Sequence, residues 1–223
     1  MNFEMTLSDR LHKLKNSLPA YVRLVAVSKT KPVADLMEAY RAGQRVFGEN
    51  KVQEMVGKFH EMPKDIQWHM IGNLQRNKVK YMASFVHLIH GVDSLKLLLE
   101  INKQAKKNNR VIDCLLQIKI ASESTKFGMS SMEAVNLLKS DDFKAFKNIK
   151  ITGVMGMASF SKDETQISKE FKSLKSTFKR LKGLQKEMNI ISMGMSGDYP
   201  LAIECGSTMI RVGSLIFGNR QYK

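Results

Sequence analysis

Three observations predict the fold class: eight short apolar runs of β-prone residues, a helical pattern after most of them, and no Gly/Ser- or Pro-rich linker across 223 residues. They predict an α/β fold, a single (β/α)8 TIM barrel with an extra N-terminal helix. The expected domain spans residues 1–223, with little chain left for a second one. An open doubly wound sheet is the alternative, and a count of eight favours the barrel.

The opening helix is written by Leu7, Leu11, Leu14 and Leu18, which share one face. The strand runs are 21–28 (YVRLVAVS), 45–48 (RVFG), 66–71 (IQWHMI), 86–92 (VHLIHGV), 111–120 (VIDCLLQIKI), 149–157 (IKITGVMGM), 190–195 (IISMGM) and 209–213 (MIRVG). Several are apolar almost throughout, as parallel strands covered on both faces must be. Shorter helices are expected at 33–42, 51–61, 75–82, 94–107, 130–139 and 199–205. The longest is expected at 163–188, where Ile167, Phe171, Leu174, Phe178, Leu181, Leu184 and Met188 form a stripe, and Ser161 and Glu164 stand at capping-box spacing. Trp68 is expected to pack between barrel and helices, and Cys205 to be a small core residue.

Composition narrows the class. Thirty-six Lys+Arg against 21 Asp+Glu leave a net charge of +15, which attracts polyanions in general. The lysines are scattered, however. The densest clusters, at 103–110 and 172–186, lack aromatics spaced to stack bases, so solvated helix faces are expected and nucleic acid is not. The 15 methionines read as core filler. Two distant cysteines form no CxxC motif or disulfide framework, the first residues do not resemble a signal peptide, and no segment approaches membrane-spanning length. A cytoplasmic protein without a membrane partner is expected.

In such a barrel the chemistry collects at the C-terminal ends of the strands. Those ends read SKTK, GEN, HMIGN, GMSGD and RVGS for strands one, two, three, seven and eight. Gly194, Ser196 and Gly197, with Gly213 and Ser214, suit a phosphate, because glycines admit close backbone approach and serines donate hydroxyls. Plain turn formation explains the same glycines equally well. A lysine desolvated at a barrel mouth is partly neutral and forms a Schiff base with an aldehyde. An aldehyde cofactor that also carries phosphate is pyridoxal 5′-phosphate (PLP), and Arg211 would suit its pyridine nitrogen. From the residues alone, Lys29 and Lys31 remain equivalent to each other and to solvated surface lysines. His87 and His90 form an HxxH in a predicted strand and are expected to face opposite ways; His12 and His60 lie in helical segments without ligand partners in view.

Six co-linear motifs then become informative: LVAVSKTKP, AGQRVFGENKVQE, QWHMIGNLQRNKVK, STKFGM, ITGVMGMA and MGMSGDYPLAIECGSTMIRVGSLIFGNRQY. From about residue 21 to the C-terminus the chain resembles the pyridoxal phosphate homeostasis proteins, whose barrel is of the kind found in the N-terminal domain of bacterial alanine racemases. The resemblance implies PLP held as an internal aldimine on Lys29 rather than Lys31, with Lys31 a first-turn lysine nearby but unbonded. It implies phosphate contacts from Ser196, Gly213 and Ser214, Arg211 facing the pyridine nitrogen, and Asn50 and His69 as pocket walls. Lys126 would add positive potential at the mouth or simply be solvated. Asn73 stands where the family usually has proline, and Arg76 where it often has a small residue, which alters the loop after strand three.

The implied role is to bind, buffer and deliver PLP, and so to maintain vitamin B6 and amino-acid homeostasis. PLP-dependent apo-enzymes are the implied recipients, and the protein is expected to be a monomer. Alanine racemases use a second domain and a tyrosine from the partner subunit; the chain is expected to lack both and to have no robust turnover. The alternatives are a small PLP-dependent amino-acid racemase or related enzyme, and a polyanion-binding module using the basic surface.

Overall fold

The computed structural model describes residues 5–122 and 127–218. Lys126 and the first residues of STKFGM lie outside them. Helix α1 (Leu7–Ser17) precedes the first strand. The alternating elements are β1 (Arg23–Val27), α2 (Val33–Arg41), β2 (Val46–Glu49), α3 (Val52–Glu61), β3 (Gln67–Met70), a 3-10 helix (Arg76–Tyr81), β4 (Leu88–Val92), α4 (Leu95–Lys107), β5 (Ile112–Gln117), α5 (Ser131–Lys139), α6 (Asp141–Lys144), β6 (Ile149–Met155), α7 (Glu164–Lys182), β7 (Ile190–Ser192), α8 (Tyr199–Glu204), β8 (Met209–Val212) and α9 (Ser214–Phe217).

The strands are parallel and follow chain order around a closed barrel. Closure comes from β1 against β8, where Arg23, Leu24, Val25 and Ala26 stand beside Met209, Ile210, Arg211 and Val212. Alternation then sorts the side chains. Val25, Leu88, Leu115, Met155 and Met209 fill the barrel interior as one cluster. Their neighbours face outward into the larger core beneath the helices, where Phe47, Trp68, Leu98, Ile101 and Phe171 are fully buried. Trp68 packs on Phe47 with ring centroids 5.9 Å apart, in the layer the sequence indicated.

The N-terminal helix starts from a capping box between Thr6 and Asp9 and buries Leu7, Leu11 and Leu14. It packs on α2 and α9, and the Arg10 guanidinium donates to the Ile216 carbonyl at 2.9 Å. An expected single helix at 130–139 is followed by the four-residue α6, opened by Ser140 as N-cap.

The long helix differs from its expected bounds at both ends. Its cap is Asp163, whose carboxylate accepts from the Thr165 and Gln166 N–H groups, while Ser161 accepts from the Asp163 N–H. It stops at Lys182 with Gly183 as C-cap. Glycine costs about 1 kcal/mol in a helix interior, so the continuing apolar period does not carry the helix past it. Leu184 is consequently exposed, and Met188 is buried from a turn instead. The segment expected as an α-helix at 75–82 is a 3-10 turn. No described helix is long and apolar enough to cross a membrane.

Gly153 in β6 marks the tightest point of the wall: a Cβ there would lie 1.9 Å from the Ile190 carbonyl oxygen. Backbone cannot yield as a side-chain tip does. Gly153→Ala is expected to destabilise the protein by about 1–3 kcal/mol or more, read as a lowered urea midpoint. Gly197→Ala, with nothing within 4 Å of its Cβ, is the control that should leave the midpoint unchanged.

Candidate functional site

The segment Ser28–Pro32 leaves the C-terminal end of β1 as a tight loop. The Ser28 N–H donates to the Gly48 carbonyl at 3.0 Å, so the strand ladder runs to Ser28. The Lys31 N–H donates back to the Ser28 carbonyl at 3.1 Å and closes a turn, with Thr30 at φ 62 inside it. Lys29 leaves this turn half-buried and lines the cavity at the barrel mouth. Lys31 precedes α2 rather than lying in its first turn, and its ammonium donates to the Phe217 carbonyl at 2.8 Å.

The cavity encloses about 530 Å³. Lys29, Asn50, Ser196, Arg211, Gly213 and Ser214 all line it, together with Asp198 and the segment after β6. They come from β1, β2, β7 and β8, and barrel closure alone brings them to one place. The two glycine turns touch each other: the Gly213 N–H donates to the Ser196 hydroxyl at 3.3 Å. Gly194 has φ 96, and a Cβ there would meet Ala202 Cβ at 2.7 Å, so only glycine fits. Asp198 accepts from the Met195 N–H at 2.6 Å and fixes the loop that carries Ser196. A primary amine, a hydroxyl with adjacent backbone N–H groups, and a buried guanidinium on one cavity are a donor set that fits an aldehyde bearing a phosphate and a ring nitrogen.

The model of the alanine racemase N-terminal domain matches residues 5–221. The pyridoxal phosphate homeostasis protein of Vibrio alginolyticus is 39% identical over 210 residues, 92% of this chain and 89% of that protein. The chain belongs to this family. The protein of the same name from Aquifex aeolicus is 38% identical over 206 residues, 90% of this chain and 88% of that one. The structure of PipY from Synechococcus elongatus with PLP bound superposes with a TM-score of 0.86 at 33% identity, covering 96% of this chain and all of that one. Alanine racemase of Clostridium difficile superposes at 0.75 with 16% identity, a likeness of fold, and this chain covers 60% of it.

In this homeostasis-family chain His69 does not line the cavity. It lies in the barrel interior beneath it, because position 69 shares inward parity with Ile71 but sits two residues deeper. There it belongs to a polar chain that runs down from Arg211. The Arg211 guanidinium, 4% exposed, donates to the Ser192 hydroxyl at 2.7 Å and to the Gly156 carbonyl at 3.1 Å. Ser192 meets His90 Nδ1 at 3.1 Å, and His90 Nε2 meets His69 Nδ1 at 3.0 Å.

The hydrogen positions follow from the one member that cannot accept. Arginine only donates, so the Ser192 proton goes to His90 Nδ1. Neutral His90 then carries its proton on Nε2 and donates to His69, whose own proton is left on Nε2. That atom has no hydrogen-bond partner among the described residues. The reverse direction would strand the Ser192 proton as well, so the forward one is favoured. Burial lowers Arg211 to about 10, with Asp198 opposing the shift, and the group stays cationic at neutral pH.

His87 and His90 do not diverge as a strand would make them. The His87 N–H donates to the Trp68 carbonyl at 2.8 Å, so the ladder reaches His87, but the pairing of β4 with β5 shifts register between Ile89 and Val92; both rings meet His69, with centroids 5.6 and 5.1 Å away. Cys114 and Cys205 are both buried away from the cavity; burial pushes the Cys114 thiol up. Sequence reasoning missed Ser192 and His90 as partners of Arg211. Their signal was a polar residue at inward parity in an otherwise apolar strand.

Burial pushes His69 and His90 well below the ordinary histidine value of 6.5, each repelled further by a neighbouring cationic or imidazole group. Both stay neutral in the folded protein while the unfolded chain gains protons near pH 6.5. Stability should therefore be independent of these two groups above pH 7 and fall as pH drops below about 6.5, by up to ~1.4 kcal/mol per pH unit for each. Urea midpoints at pH 7.5, 6.5 and 5.5 measure it, and His90→Gln should fall less steeply between the last two than the wild type.

Proposed function

We propose that the protein binds PLP at this cavity, attached through Lys29, and holds, buffers and delivers it rather than turning over a substrate. The observation that carries this reading is the convergence of Lys29, Arg211, Ser196, Gly213 and Ser214 on one cavity of about 530 Å³. When bound, PLP supplies an aldehyde that condenses with a primary amine, with loss of water, and a pyridine ring that accepts electrons.

Each residue then has a stated task. Lys29 is the amine. Ser196 and Ser214 offer hydroxyls to the phosphate, and the Gly213 N–H, which donates to the Ser196 hydroxyl in this structure, would turn to the phosphate once it binds. Arg211, held by Ser192 and Gly156, is the fixed cation that would face the pyridine nitrogen; it would disfavour protonation of that nitrogen and so weaken the ring as an electron sink. Carbanion chemistry is disfavoured as a result. Asn50 lines the wall beside Lys29. Among the described residues lining the cavity there is no tyrosine, histidine or cysteine, and proton exchange there is left to Lys29, Lys31 and Asp198.

The curated relatives named for PLP homeostasis and the PLP-bound PipY structure support the same reading. The proposed form is a single-domain monomer. Two free cysteines suit the cytoplasm, and PLP-dependent apo-enzymes are the proposed recipients.

Purified protein should show a visible-range band that borohydride bleaches, leaving a pyridoxyl group on the peptide containing Lys29. Lys29→Ala should lose the band. Racemisation of L-amino acids at ordinary enzyme rates, abolished by Lys29→Ala, would overturn the carrier reading in favour of a small racemase.

A further inference from the structure

Behind the Lys29 loop, on the helix side of the barrel wall, lies a buried cluster of charges that the cavity does not use. Lys58 of α3 is 6% exposed. Its ammonium donates to Glu49 Oε1 at 2.8 Å, to Glu54 Oε1 at 2.7 Å and to the Ser28 carbonyl at 2.7 Å. Those three bonds use all three of its protons. Glu49, fully buried at the end of β2, also accepts from the Ser28 hydroxyl at 2.6 Å. Glu54, one turn before Lys58 on α3, also accepts from the Thr30 N–H at 2.5 Å.

Lys29 is therefore tethered on both sides. Ser28 is held through its carbonyl and its hydroxyl, and Thr30 through its N–H. Thr30 needs the tether, because φ 62 is a region that β-branched residues rarely occupy. The exposed Thr30 side chain cannot secure that conformation by its own burial. A buried ion pair is in general a weak source of stability compared with apolar packing. Here every acceptor of Lys58 either belongs to the loop or binds the loop.

We propose that Lys58, Glu49 and Glu54 are positioning residues that aim the Lys29 amine into the cavity by clamping the backbone on either side of it. This rests on the reading of Lys29 as the PLP attachment point. Glu54 and Lys58 supply the hold on Thr30 and Ser28, and the strained Thr30 turn is the element they restrain. Lys58 keeps Glu49 and Glu54 together, so its loss would release both tethers at once.

Glu54→Ala is the cleanest variant, since its side chain is 23% exposed and its removal leaves Lys58 still paired with the buried Glu49. Apo protein is mixed with PLP and the visible band followed. Glu54→Ala should take up PLP on Lys29 about tenfold more slowly or weakly, with a melting temperature within a few degrees of wild type. Glu54→Gln, which keeps an acceptor oxygen, and Glu54→Ala combined with Thr30→Gly, which adopts φ 62 without strain, should both recover most of the uptake. Uptake by Glu54→Ala equal to wild type overturns the proposal, and so does failure of Thr30→Gly to restore it.

A second readout needs no PLP: the ratio of Lys29 to Lys31 acetylation by acetic anhydride, mapped by mass spectrometry. It should shift about threefold or more in Glu54→Ala. An unchanged ratio overturns the clamp even if the wild type takes up no PLP, an outcome that by itself would overturn only the attachment reading.

Discussion

Pairing of β1 with β8 is the contact on which the rest of the site depends. It sets Val25 beside Arg211 and Ala26 beside Val212, joining residues near the two ends of the chain. From that register the loop after β1 and the turn after β8 must open side by side at the same rim. Lys29 and the Gly213–Ser214 turn are consequently neighbours, although nearly the whole barrel separates them in sequence. A parallel barrel has no free edge to absorb a slip, and a shift by one residue would turn Arg211 from the interior to the helix layer.

The wall separates two kinds of polar chemistry, and each bears on the cavity from its own side. Inside, Arg211 is held by Ser192 and Gly156, with His90 and His69 below in tautomers that the guanidinium dictates. Outside, Lys58 gathers two carboxylates and a carbonyl behind the Lys29 loop. Apolar layers surround both groups. Low polarity makes an unpaired member costly, and so each network is nearly complete in its hydrogen bonds. The unpartnered His69 Nε2 and Glu49 Oε2 are the loose ends of these two networks.

Much of this was legible in the chain. Eight apolar runs became eight described strands in order, because a strand covered on both faces is apolar at most of its positions. The opening helix and its leucine stripe formed as written, because that period is local. Element ends were less legible: Gly183, about 1 kcal/mol worse than alanine in a helix interior, stopped a helix whose apolar stripe continued, and Asp163 rather than Ser161 caps it, two residue types of nearly equal capping strength. The family resemblance implied His69 as a wall of the cavity. The structure sets it a layer lower, since depth along a tilted strand follows from barrel stagger and not from sequence distance to a loop.

By itself, then, the sequence determined the architecture, the motifs at the rim, and, through resemblance, Lys29 as the amine of interest. These are local or cumulative signals: periodicity, turn chemistry and the order of motifs survive in one dimension. Tertiary structure alone decided which polar residues serve the site from a distance. Glu49, Glu54 and Lys58 read as ordinary charged residues at a strand end and on a helix face until α3 packs behind the first loop. Ser192 and His90 read as exceptions in apolar strands until the closed barrel turns them toward Arg211. The partners of a buried polar group are chosen by packing across the chain, and no spacing rule within a segment encodes them.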